Sequence, residues 1–338
     1  MKKCIVAIIA VLTIAVTAAM CIGCTPLFRT DVDYKVGVSQ FVEHGALDQA
    51  TEGFKSELTA LMQEAGKTVD IVVRNAQNDT SNCTTIANTF VTNKADLVLG
   101  VATPAAKALA AATKDIPVLF TAVTDAVSEK MVASNERPGG NVTGASDINP
   151  VAKQIELLVR LVKGQPGYSA DKKIKIGFLY ATSEKNSIVQ LNLAKAKCEE
   201  LGVELVEGGV NDATEIAGGM AKLQSCDGIY IPTDNIIAKS IQNVASINEG
   251  ESYRKIIVCG EDVPNQVAGI ATYGINYNTL GKMAAKMAFD ILVNGKNPAE
   301  MPVQSITECP LTVNTAVATK LGITIPQEVM DEYNAQQA

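Results

Sequence analysis

The strongest constraint on the fold is a pattern that the chain states twice. In the first half, short runs rich in β-branched residues (Tyr34–Ser39, Val69–Arg74, Asp96–Val101, Pro117–Ala122) alternate with segments of helical period (Ala46–Ala65, Asp79–Asn93, Pro104–Thr113). In the first helix Leu47, Ala50, Phe54, Leu58 and Leu61 recur every three or four residues, so one face is apolar. The second half replays the order: Lys175–Tyr180 answers Lys35–Gln40, Asp227–Thr233 answers Asp96–Ala102, and Lys255–Cys259 answers Ile116–Phe120, each about 130 to 140 residues on. Parallel neighbours cannot be joined by a tight turn, so this succession requires parallel sheets with right-handed crossovers. The expected class is α/β, with two doubly wound parallel-sheet lobes. A first crossing between them falls near Asp147–Val151, before the helix Ala152–Lys163, and a second near Gly274–Asn276, before the helix Leu280–Val293. The N-terminal lobe is expected to span residues 34–149 plus about 277–300, and the C-terminal lobe 150–276 plus about 301–338.

Residues 1–23 stand outside this pattern. Lys2-Lys3 precedes an uncharged stretch from Cys4 to Met20 that is short for a membrane-spanning helix. A basic start, an apolar core and a small residue at Gly23 read as an export signal peptide. Gly23-Cys24 in that setting resembles a bacterial lipobox, which implies cleavage before Cys24, lipidation of its thiol, and a tether over residues 24–33. The five other cysteines beyond the signal (Cys83, Cys198, Cys226, Cys259, Cys309) are widely spaced without a CxxC, which is not zinc spacing; they are expected to be mostly buried thiols. With a net charge of −7, the chain lacks the basic excess of a nucleic-acid binder.

Catalytic signatures are missing: the sequence holds no phosphate-binding glycine loop, no GxSxG and no HExxH. Its single histidine, His44, excludes a multi-histidine metal cluster and is expected to cap or bind at the start of the first long helix. No cofactor and no metal are expected. Small polar residues collect instead just after the strands, among them Ser39, Thr103, Thr124 and Asp125 in the first half and Tyr180, Ser183, Glu184, Asn186, Asp234, Asn235, Glu261 and Asp262 in the second. Ligands of open parallel sheets lie at that edge. Many of the same residue types are also favoured helix N-caps, so each alone is as consistent with capping as with ligand contact. Together they bring helix N-termini, which suit a carboxylate, and acids, which suit an ammonium group, into one cleft.

The stretch Gly37-Val-Ser-Gln-Phe-Val-Glu-His-Gly-Ala-Leu-Asp48 resembles the start of one family of ABC transporter substrate-binding proteins that includes binders of aromatic amino acids. The likeness runs through Asn75-Ala-Gln-Asn78, Ala102-Thr-Pro-Ala-Ala106, Asp115 to Asp125, Pro138 to Asp147, Ser183 to Ser187 and Pro232-Thr-Asp-Asn235. It covers nearly all of Tyr34 to Pro326 and departs at Gly45 and Ala126, where the family often has proline. The resemblance implies a type I periplasmic-binding-protein fold with three crossing segments, no enzymatic activity, and a partner permease with its ATPase. It further implies a monomer held outside the cytoplasm and binding a small solute, an aromatic or branched amino acid. A sensing receptor of the same fold is the alternative. Carried onto this chain, the site would comprise Ser39 and Thr103 for the carboxylate, Asp234 or Asp262 for the ammonium, and Phe41 or Tyr180 for the side chain. Thr124, Asp125, Asn186 and, at a crossing, Asn276 complete it.

Overall fold

A computed structural model of the chain describes residues 26–337. The segment expected to be a signal peptide, and Cys24, lie outside the described residues.

The first lobe opens with β1 (Tyr34–Gln40), α1 (Gly45–Glu64), β2 (Val69–Asn75), α2 (Thr80–Thr92), β3 (Leu97–Val101), α3 (Thr103–Ala112), β4 (Val118–Val123) and β5 (Val142–Ser146). After α4 (Val151–Lys163) the second lobe runs through β6 (Lys175–Ala181), α5 (Lys185–Glu200), β7 (Glu204–Val210), α6 (Ile216–Lys222) and β8 (Gly228–Ile231). It continues with α7 (Asn235–Lys239), α8 (Ile241–Asn248), β9 (Ile256–Cys259), α9 (Asp262–Ala268) and β10 (Ala271–Tyr273). The remainder is α10 (Tyr277–Leu292), β11 (Gln304–Ser305), β12 (Leu311–Val313), α11 (Thr315–Leu321) and α12 (Gln327–Gln337).

The sheets repeat each other. The first has the order β11-β5-β4-β3-β1-β2 and the second β7-β6-β8-β9, with every pair parallel; β10 and β12 form an antiparallel ribbon. Thus β2-β1-β3-β4 corresponds to β7-β6-β8-β9. Strands β3 and β4 are buried at every residue, as expected where helices cover both faces of a parallel sheet. Edge strand β7 (Glu-Leu-Val-Glu-Gly-Gly-Val) is half-exposed and broken by glutamate and glycine, and β5 (Val-Thr-Gly-Ala-Ser) is small and polar. Neither carries the apolar run by which β3, β4, β6, β8 and β9 are legible.

Helix α10 returns to the first lobe. Leu280, Ala284, Ala285, Met287 and Ala288 join Leu47, Phe54 and Leu58 of α1 in one core. The two helices touch backbone to backbone: a β-carbon on Gly281 would lie 2.0 Å from the Ala50 carbonyl oxygen, and one on Gly53 2.2 Å from that of Asn278. The chain then stays with the first sheet as far as Gln304–Ser305, which pair with Ala145–Ser146, before Leu311–Val313 pair with β10. The last crossing therefore follows Ser305 rather than lying near residue 301; two exposed polar residues held by backbone bonds alone leave no mark in the sequence. Two crossings are tied by one carboxylate: Asp147 accepts from Thr124 Oγ1 at 3.0 Å and from the Tyr277 hydroxyl at 2.8 Å. All five described cysteines are free thiols, four buried and Cys309 partly so. No helix among the described residues is long and apolar enough to cross a membrane.

Candidate functional site

The carboxyl ends of both sheets face one cavity of about 610 Å³, within the usual range for small-molecule sites. From the first lobe Phe41, Asn78, Thr103 and Pro104 line it; from the second, Ser183, Glu184, Asn186 and Ile236. The first-lobe rim is conformationally strained. Gln77, Asn78, Ala102 and Ala122 all have positive φ, and all follow or end strands β2, β3 and β4. Such strain in non-glycine residues concentrates at functional sites. Ala102 (φ +78°) turns the chain directly from β3 into α3, whose N-terminus has no side-chain cap. Its first backbone N–H groups, beside Thr103, are left for another acceptor. Ser39 is fully buried at the end of β1, and its hydroxyl has no partner.

The second-lobe wall is built around Glu184. Its Oε2 accepts from the Asn235 backbone N–H (3.0 Å), Asn235 Nδ2 (2.8 Å) and Asn186 Nδ2 (3.1 Å), while Oε1 accepts from the Ile236 N–H (3.1 Å). Burial, and then the neighbouring Asp234 carboxylate, push this acid up to about 8, against the pull of its N–H donors. Asp147, Asp234 and Glu261 are buried and raised in the same way, burial being the main cause for each. The Glu261 Oε2 atom has no hydrogen-bond partner.

Of the residues expected at the site, Phe41, Thr103 and Asn186 line the cavity. Ser39 lies buried behind them with its hydroxyl unpartnered, and the others are engaged elsewhere. Thr124 donates to Asp147, and Asp125 accepts from the N–H groups of Val127 and Ser128 in its own turn. Tyr180 turns to the sheet edge, where its hydroxyl donates to Glu207 at 2.7 Å. Asp234 caps α7 through Ile237 N–H (2.9 Å) and also accepts from Ala181 N–H and Ser187 Oγ, both at 2.7 Å. Asp262 accepts from Thr312 Oγ1 and Gln266 Nε2 and lines a separate groove with Asn314. Asn276 caps α10 through the Thr279 N–H. Capping, the alternative that each small polar residue carries, claims Asp234 and Asn276, and a turn of its own claims Asp125. Glu184 is the residue whose importance was not singled out, although it belongs to the Ser183–Ser187 motif.

His44 occupies the N-cap position of α1, yet its side chain caps nothing. It reaches the other lobe instead, where Nε2 lies 3.3 Å from Asn235 Oδ1. Its backbone carbonyl takes up the Asp48 N–H.

The model of the ABC transporter substrate binding protein family matches residues 35–337. A tyrosine-binding protein from Clostridioides difficile (strain R20291) is 36% identical over 281 residues, covering 82% of this chain and 78% of that protein. A structure from Streptococcus pneumoniae in complex with L-Trp is 37% identical, covers 88% of this chain and 98% of its own, and overlays with a TM-score of 0.79. A ligand-free, open substrate-binding protein with adhesive properties from Clostridium difficile is also 37% identical, over 87% of this chain and 96% of its own, and overlays at 0.66. The two lobes have the type I periplasmic-binding-protein fold, and the chain belongs to the ABC transporter substrate-binding protein family.

Proposed function

We propose that this protein binds an aromatic or branched amino acid between its lobes, outside the cytoplasm, and delivers it to a membrane permease driven by a partner ATPase. The observation that carries the reading is a cavity lined from both lobes, with an uncapped helix end on one wall and a buried carboxylate on the other. Thr103 and the free N–H groups of α3, with Ser39 behind them, take the α-carboxylate, because a helix N-terminus favours an anion. Glu184 takes the α-ammonium, and Phe41 provides the apolar face for the side chain. Two relatives more than 30% identical, one a tyrosine-binding protein and one in complex with L-Trp, point to aromatic amino acids. The better overlay on the L-Trp complex than on the open relative supports reading the described arrangement as the closed form. Ligand then acts by favouring that form over an open one.

Calorimetry on the purified protein is expected to show an aromatic or branched amino acid binding more tightly than roughly 100 µM, about −5.5 kcal/mol. Phe41→Ala should weaken that binding about tenfold, a loss typical of one aromatic contact. If no amino acid binds within this limit, the reading fails.

The membrane attachment we propose is a lipid on Cys24 after removal of residues 1–23. Cys24→Ser should move the protein from the membrane fraction to the soluble one. Retention of the variant with the membrane would point to an uncleaved anchor instead.

A further inference from the structure

We propose that His44, Asn235 and Glu184 form a latch that couples ligand in the cleft to closure of the lobes and makes closure sensitive to pH. The inference rests on the clamp reading above. Its geometry is a relay. Asn235 Nδ2 is committed to Glu184 Oε2 at 2.8 Å, so the Oδ1 atom of the same amide is the one that faces His44. The histidine must therefore donate from Nε2, which fixes the neutral ring as the Nε2–H tautomer. One end of the relay belongs to the first lobe, and the other is a carboxylate that lines the cavity. A ligand group that holds Glu184 thereby fixes Asn235, and Asn235 holds the opposite lobe.

The contact is close-packed. His44 is 8% exposed, and a β-carbon on the next residue, Gly45, would come within 2.6 Å of Val263 Cγ1 on α9. Val263 is branched at Cβ and stiff, so it yields little. The backbone of α1 thus lies against the second lobe at a point where a side chain would hold the two apart.

The pH dependence follows from what surrounds the ring. Just before it in the chain Glu43 is exposed, and on α1 Asp48 accepts from Gln40 Nε2. From α7, Lys239 adds a positive charge, while Asp234 is held by Ala181, Ser187 and Ile237. Glu184 is reached only through Asn235, and Asp262 of α9 is turned to Thr312 and Gln266. No carboxylate bonds directly to the ring. Burial, opposed by the Asn235 bond and aided by Lys239, lowers the histidine from 6.5 to about 4. In an open form the ring regains water and its ordinary value. Closure therefore expels a proton: it is fully favoured above pH 6.5 and is lost as pH falls toward 4.

The test uses the purified protein with L-tyrosine and L-tryptophan as probes. Between pH 7.5 and 5.0 wild-type affinity should fall by roughly 10- to 30-fold, the range that a shift from 6.5 to about 4 allows. His44→Gln, which keeps an N–H for Asn235 but cannot titrate, should lose the histidine's share of that change and keep only what Glu184 contributes, a fall at least fivefold smaller than in wild type. Equal pH dependence in the two proteins would overturn the latch, as would a flat wild-type profile. If neither amino acid binds at pH 7.5, the amino-acid reading fails and the latch is decided by X-ray scattering of the free protein. Its radius of gyration should rise between pH 7.5 and 5.0 in wild type and stay constant in His44→Gln; constancy in both would overturn it.

Discussion

Asp234→Ala should cost roughly 3–5 kcal/mol of folding stability, because it removes one cap and leaves further buried donors without an acceptor. The three donors are the Ile237 N–H at the start of α7, the Ala181 N–H at the end of β6, and the Ser187 hydroxyl on α5. One carboxylate, 1% exposed, thus joins three elements of the second lobe under the wall that carries Glu184. Asp234→Asn should be milder. Its carbonyl oxygen still caps α7, and Ser187 can rotate its hydroxyl, but the Ala181 N–H then faces an amide nitrogen, at a cost of about 1–3 kcal/mol. Urea unfolding of the two variants would show this order. If Asp234 instead paired with the ligand ammonium, its loss would appear as reduced affinity in a protein of unchanged stability, and this account of Asp234 would be wrong.

The two-lobe plan was legible because β3, β4, β6, β8 and β9 are covered on both faces and so read as largely apolar runs. Edge position hid β7, whose glutamates face water, and small side chains hid β5. The junction residues were legible as a set but not in their division of labour. Asp234 and Glu184 are both acids that accept N–H groups at the start of α7; only the folded chain shows that Glu184 also borders the cavity. The partner of His44 was beyond reach for a different reason. Asn235 lies 191 residues away, and no local pattern links them. Tyr180 was expected near the ligand because it ends β6, but alternation along a strand sends its side chain to the face packed with Phe178, away from the cleft.

Glu261→Gln should stabilise the protein at pH 8 and leave it unchanged near pH 5. Four acids, Asp147, Glu184, Asp234 and Glu261, are raised by burial, Glu184 further by Asp234 and Glu261 by the other three, and no buried cation offsets them among the described residues. Glu261 combines burial with three neighbouring acids. It is fully enclosed, one of its oxygens has no partner, and after burial the charges on Asp147, Asp234 and Glu184 push it well above the ordinary carboxylate range. The sign follows from linkage. The folded state holds protons that the unfolded chain releases just above pH 4, so this contribution to stability is complete below that value. It is lost as pH rises toward the folded-state values, about 8 for Glu184. Each retained proton steepens the fall by up to about 1.4 kcal/mol per pH unit. Replacing Glu261 by a neutral amide removes one such proton, so the unfolding free energy of the variant should decline less steeply between pH 5 and 8. The two curves should meet at the acid end and separate by up to about 4 kcal/mol at pH 8, three pH units at the slope of one proton. Parallel curves, with the variant equally weaker throughout, would mean that Glu261 makes a contact that glutamine cannot replace and that its charge is not what the buried cluster opposes.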